Sequence, residues 1–194
     1  MLSSSCASSA NKKVDEMRLL EPLETFTIGE ANWNDFNDIL ALLNAVNDEF
    51  VPPLTEGENL RVKITQILND RRRGWFKAVD GGRVVGVVAV IYHYRRPQLG
   101  LIETLAVLPE FRRFGIGMKL VQFAMSKLFQ NGMDASLITT WETNEAALAM
   151  YKKLGFKMIM TKKIDGSYFK LFFMHSFEEP PRSQSSFSRF WNRR

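Results

Sequence analysis

The chain has 194 residues, 45% hydrophobic and 24% charged, with 26 Lys plus Arg against 21 Asp plus Glu. That suits one α/β domain with short tails, whose core stands without disulfides or a metal. The excess of five positive charges is small and scattered, and no RNP-type aromatic box, pair of zinc-ligand motifs or bilayer-length apolar run occurs, which argues against nucleic-acid and transmembrane classes.

Residues 1–20 read as a flexible leader, rich in Ser and Ala up to Ala10. It has no basic stretch followed by an apolar one, so a secretory signal is not expected; its Ser-rich, acid-poor character leaves an organelle transit peptide as the rival reading. The single cysteine, Cys6, forbids an internal disulfide and fits a reducing, cytoplasmic setting.

The domain is expected over residues 21–177. Leu23 to Ile28 alternates weakly and predicts a first strand. Asn34 or Asp35 can cap a helix carrying Phe36, Ile39, Leu40, Leu43 and Phe50, ended by Pro52-Pro53. A second helix is predicted over Leu60 to Asp70, with Val62, Ile64, Ile67 and Leu68 inward. Trp75 to Val79 and Val84 to Tyr92 flank Asp80-Gly81-Gly82 and predict a hairpin. The run Val84 to Ile91 is nearly all apolar, as in a strand buried on both faces. Pro97 and Gly100 mark a break before a strand from Leu101 to Val107.

Ile116 to Gln130 is the clearest helix: Lys119, Gln122, Ser126 and Gln130 form a polar stripe opposite Ile116, Leu120, Phe123, Ala124 and Leu128, and Gly132 closes it. A strand over Ser136 to Trp141, a short helix from Asn144 to Leu154 stopped by Gly155, and a hairpin of Lys157 to Ile164 and Tyr168 to Ser176 complete the order β α α β β β α β α β β. Helices between strands in the second half predict a mixed sheet.

Chemistry concentrates on Glu103 to Leu120, where a strand ends, a basic glycine loop follows and an amphipathic helix begins. Amides at a helix N-terminus lack partners and, with the helix dipole, suit a diphosphate. Gly115 and Gly117 permit close approach, and Arg112 and Arg113 add positive charge able to bond phosphate oxygens. Met118 after Gly117 breaks the P-loop pattern, and Leu120 stands where a dinucleotide fingerprint needs Gly or Ala.

The order Val107-x-Pro109-x-x-Arg112-x-x-Gly115-x-Gly117 resembles the acetyl-CoA signature of the GNAT superfamily of N-acetyltransferases. About 27 residues on, Asn144-Glu-Ala-Ala-Leu-Ala-Met-Tyr151-Lys-Lys-Leu-Gly155-Phe156 resembles the second motif of that family. The resemblance covers about Trp75 to Phe177 and implies an α/β fold with a mixed, mostly antiparallel sheet flanked by helices. It implies acetyl-CoA as co-substrate, no metal, and direct attack of an amine on the thioester. By position, the fourth strand splays from the fifth at a bulge, and Leu105, Ala106 and Val107 border the pantetheine arm. Arg112, Arg113, Phe114, Gly115, Ile116, Gly117 and Met118 wrap the diphosphate, and Asn144, Ala147 and Tyr151 complete the cofactor side. Tyr151 is the candidate acid for the leaving thiol; a core tyrosine is its structural rival.

Glu103 is the candidate base, placed as in diamine and glucosamine-phosphate acetyltransferases, against the plainer role of partner to an arginine on a neighbouring strand. Glu142 is its weaker rival. Asn144 also fits a plain helix cap.

Acceptor-side candidates are Asn47, Asp48, Glu49, Glu56, His93, Tyr94, Arg95 and Arg96. The acids suit a cationic amine and the arginines an anionic group, so the acceptor stays open between small molecule and protein. A GNAT-fold module that binds acetyl-CoA or regulates a partner without turnover is the rival function, disfavoured by Glu103, Asn144 and Tyr151. A homodimer is compatible with these features. In the tail, 178–194, Phe187, Phe190 and Trp191 alternate with Arg182, Arg189, Arg193 and Arg194, which suits docking on the domain, a partner or an anionic membrane, or a disordered segment.

Overall fold

The computed structural model describes residues 26–50, 53–54, 59–164 and 168–176. Its strands are β1 (Thr27–Glu30), β2 (Arg73–Asp80), β3 (Arg83–Ile91), β4 (Leu99–Val107), β5 (Ala135–Trp141), β6 (Lys157–Ile164) and β7 (Tyr168–Ser176). They form one sheet in the order β1-β2-β3-β4-β5-β7-β6. Every pairing is antiparallel except β4 with β5, which run parallel because a helix joins them. The helices are α1 (Phe36–Ala45), α2 (Leu60–Asn69), α3 (Ile116–Gln130) and α4 (Glu145–Lys153). The expected α/β fold with a mixed, mostly antiparallel sheet is therefore present.

The apolar run of β3 is buried along nearly its whole length because both faces are covered. Val88 and Val90 join the cluster under α3, whereas Val87 and Ala89 join the one under α1 and α2. α3 seals the first cluster with Ile116, Leu120, Val121, Ala124 and Leu128, all 1% exposed or less. Each large side chain of this kind contributes about 1.5–3 kcal/mol on burial, so a charge at Leu120 would detach the helix.

Several expectations are corrected. The first strand is Thr27–Glu30, and residues 23–25 lie outside the described set. Its successor starts at Asn32, whose side chain accepts from the Asn34 amide while Asp35 accepts from the Asn32 amide, both at 2.9 Å. This capping box heads a 3-10 turn, Trp33–Asp35, ahead of α1, whose N-cap position is Asp35 as expected, without a side-chain cap bond of its own. α1 ends at Ala45, and a second 3-10 turn, Asn47–Glu49, follows, so Phe50 is not helical. Val62 is 47% exposed, and Leu60 is buried beside Ile64 and Ile67. Gly100 is no break: it lies inside β4, where a Cβ would come within 2.5 Å of Leu128 Cδ2. The leader, Cys6, Glu56, the turn Asp165-Gly166 and the tail lie outside the described residues.

Candidate donor and acceptor site

β4 and β5 pair only from Leu99↔Ala135 to Ile102↔Ile138, although β4 continues to Val107 and β5 to Trp141. The strands part at an irregularity in β4. Ala89 pairs with Thr104 and Val90 with Ile102, which leaves Glu103 as the extra residue of a bulge. Beyond it the hydrogen-bond direction follows from register. The Leu108 amide donates to the Val85 carbonyl at 3.0 Å. Bonded pairs alternate in an antiparallel ladder, so Ala106 and Thr104 bond β3, and the amides and carbonyls of Leu105 and Val107 point toward the parting. Their side chains pack on the α3 side, whereas Ala106 joins the cluster under α1 and α2.

The loop above this parting starts with a 3-10 turn, Pro109–Phe111, and ends at Gly115, the N-cap of α3. Gly115 sits at φ +83, where a side chain would be strained; Arg113 at φ +70 is a non-glycine in the same region. The first helical bond is from the Lys119 amide to the Gly115 carbonyl, 3.0 Å. The amides of Ile116, Gly117 and Met118 therefore precede the ladder and can meet an anion. Ile116 offers only its amide, since its side chain is 1% exposed in the core. Arg113, Phe114 and Gly115 are exposed.

Arg112 does not extend toward this anion site. Its Nε donates to the Val107 carbonyl at 3.0 Å, and one terminal nitrogen donates to both Glu49 oxygens, at 2.8 and 2.7 Å. Glu49, expected beside a cationic amine, is thus the partner of a loop arginine.

The second motif meets the first at Gly117. A Cβ there would stand 3.8 Å from both Met150 Sδ and Val107 Cγ2, and 4.0 Å from Leu105 Cδ2. β4, α3 and α4 thus converge at the glycine, where the added carbon would be at ordinary contact distance from all three side chains, and the helix-start amides of Ile116 to Met118 lie alongside. Asn144 is the N-cap of α4, its side chain accepting from the Ala147 amide at 3.1 Å, so the capping role is present. Tyr151 is 4% exposed, its ring packed 5.9 Å from Phe156 and 5.8 Å from Phe173 between centroids. Burial pushes its phenol above the ordinary tyrosine range, so it stays protonated at neutral pH. Gly155, at φ +80, ends the segment.

On the opposite face, the Arg73 guanidinium donates to the Glu103 carboxylate and also lies 3.4 Å from Asp70. The arginine partner is present, on β2, with β3 between. Beside Glu103, Thr104 borders an apolar pocket with Leu43, Leu54, Leu60, Ile64 and Trp75. Arg95 lies over the Tyr94 ring, Arg96 is 3.6 Å from Asp134, and Asn47 bonds Asp48. Glu142 is exposed. A cavity of about 320 Å³ opens at the start of β2, with Arg73, the partner of Glu103, in its wall beside Glu30, Tyr92 and Lys127. Sequence reasoning missed Arg73 and the Glu49–Arg112 link, because no local spacing joins residues 30 or 63 positions apart.

A parted parallel strand pair beside a glycine-opened helix start is the architecture of the GNAT fold. The chain belongs to the acetyltransferase (GNAT) family, whose model matches residues 39–156. It is similar to N-alpha-acetyltransferase 30 of Schizosaccharomyces pombe, 34% identical over 83 residues, which are 42% of this chain and 55% of that protein. It is also similar to a mycothiol acetyltransferase of Saccharomonospora viridis, 28% identical over 171 residues, covering 80% of this chain and 52% of that protein. The chain thus spans about half the length of these relatives. Among solved structures, the ribosomal-protein-S18-alanine N-acetyltransferase of Escherichia coli shares the fold with a TM-score of 0.67 at 16% identity, covering 82% of this chain and 98% of that one.

Proposed function

We propose that the protein transfers the acetyl group of acetyl-CoA to a primary amine, and that the acceptor is the α-amine of a polypeptide. The observation carrying the transfer is the parting of β4 from β5 beyond Ile102 and Ile138, opposite the free amides of α3. Acetyl-CoA supplies an acetyl group activated as a thioester. In this reading an amide of Leu105 or Val107 donates to its carbonyl oxygen, as an oxyanion-hole donor would. Backbone amides from Ile116 to Met118 hold the diphosphate. The amine nitrogen bonds the acetyl carbon as the carbon–sulfur bond breaks; Tyr151 supplies the proton the sulfur takes up, and Glu103 receives the amine's proton, directly or through water.

Two considerations favour an α-amine. The relatives include N-alpha-acetyltransferase 30. Moreover, the Glu103 charge is already matched by Arg73, so deprotonation has modest help. An α-amine, with a pKa of about 8, is roughly a tenth neutral at pH 7, against roughly one in a few thousand for a lysine amine. The mycothiol acetyltransferase relative supports the second reading, a small-molecule acceptor.

The test is acetyl-CoA with three acceptors: a peptide with a free α-amine, a peptide blocked there but carrying lysine, and an amino sugar. Thiol release and product mass are read. Release with the first alone supports the proposal. Release with the sugar alone favours the second reading, and CoA binding without release from any acceptor favours a non-catalytic module.

A further inference from the structure

Glu49 ends the 3-10 turn after α1, in the layer on the sheet face opposite α3, yet its carboxylate is bonded to the loop that precedes α3. We propose that Glu49 is a positioning residue for the diphosphate loop, acting through Arg112. The inference rests on reading the Ile116 to Met118 amides as the diphosphate site.

The second half of the loop needs an external anchor. Between Val107 and Gly115 the chain leaves a strand, makes one 3-10 turn and passes two positive-φ positions, Arg113 and Gly115. The Arg112 amide bonds Pro109 at 3.2 Å, Phe111 packs on both apolar clusters, and Arg83 of β3 lies 3.1 Å from Glu110 and over the Phe111 ring, so the first half is already held to the sheet. Arg112 ties down the second half: its Nε is bonded to the last carbonyl of β4 and its far nitrogen to Glu49. A planar guanidinium makes both bonds at once; a lysine ammonium on a flexible stem does not hold that geometry.

Stability alone does not account for the pair. The Arg112 and Glu49 side chains are 41% and 48% exposed, and exposed ion pairs add little to folding. Long-range charge does not account for it either, since a carboxylate beside a diphosphate site opposes binding. Geometry remains: Glu49 orients Arg112, Arg112 holds the loop, and the loop presents its amides. The same contact ties the donor loop to the connection between α1 and α2.

The test is calorimetric titration of CoA into the full chain, Glu49→Gln, Arg112→Lys and the double variant, with acetyl-transfer kinetics alongside. Glu49→Gln should weaken CoA binding at least fivefold and raise KM for acetyl-CoA in step, with kcat within twofold. Arg112→Lys should do the same, and the double variant should be no weaker than either single one. Glu49→Asp, which keeps the charge but shortens the reach, should also weaken binding. CoA bound as tightly or more tightly by Glu49→Gln, the outcome of charge alone, overturns the inference, as do single effects that multiply in the double variant. No binding by the unaltered chain would overturn the donor-site reading itself.

Discussion

Gly117 faces Met150 across a space one methyl group wide: a Cβ on the glycine would stand 3.8 Å from the sulfur, at ordinary contact distance. Folding therefore tolerates alanine there, and the helix gains up to about 1 kcal/mol from the better helix former. A thioester arm running beside Leu105 and Val107, however, would meet the added methyl. Gly117→Ala should melt no lower than the unaltered chain yet bind CoA at least tenfold more weakly. Unchanged affinity by calorimetry would place the thioester arm elsewhere.

Tyr151 should behave as a proton donor kept neutral by its surroundings. Tyr151→Phe is expected to lower kcat at least about tenfold, about 1.4 kcal/mol in barrier, with KM for acetyl-CoA within about twofold. An unaltered kcat removes the phenol from the chemistry. Burial raises this pKa from its ordinary value of 10.0. The folded state thus holds the proton more tightly, and the associated stability is whole below pH 10 and drains as pH rises above it. Melting temperatures from pH 9 to 11 should fall more steeply for the unaltered chain than for Tyr151→Phe; parallel curves would contradict the buried placement.

Glu103 is at once the bulge residue and the partner of Arg73. If it accepts the amine's proton, Glu103→Gln leaves the rate to follow the fraction of already neutral amine. The pH–rate profile should shift upward in pH, with a loss of about tenfold near pH 6.5 and under about threefold near pH 9 for an α-amine acceptor. A profile of unchanged shape would leave Glu103 as counter-ion to Arg73 alone.

Gly100 provides a test of the fold away from the chemistry. A Cβ there would meet Leu128 at 2.5 Å, against a side chain fully buried in the core. Gly100→Ala should cost about 1–3 kcal/mol in chemical denaturation, the usual penalty of overpacking. A loss below about 0.5 kcal/mol would mean α3 sits farther from β4 than described.

What was legible in the sequence is what local periodicity encodes. α3 runs from Ile116 to Gln130 as its stripe of apolar residues requires, and β3 is as buried as its valine run implies. Both motifs were legible because glycines and a capping asparagine act within a turn of their own position. Gly100 was misread because its small size answers to Leu128, 28 residues away, rather than to a turn. The capping box was not legible because Asn32 caps a 3-10 turn that precedes α1, and only backbone geometry separates that turn from the helix that Asp35 heads. Arg73 and the Glu49 contact depend on register across strands and on a loop folding back, which no short window contains.

The short foot of pairing between β4 and β5 has a mechanical consequence. With four residue pairs holding them, β1 to β4 and the β5-β7-β6 group form two leaves stapled along one end. β5 is fully bonded to β7 out to Trp141, so the open margin belongs to its β4 side alone. A ligand seated there works as a splint, and it should slow amide exchange on both leaves together, most at Leu105 and Val107.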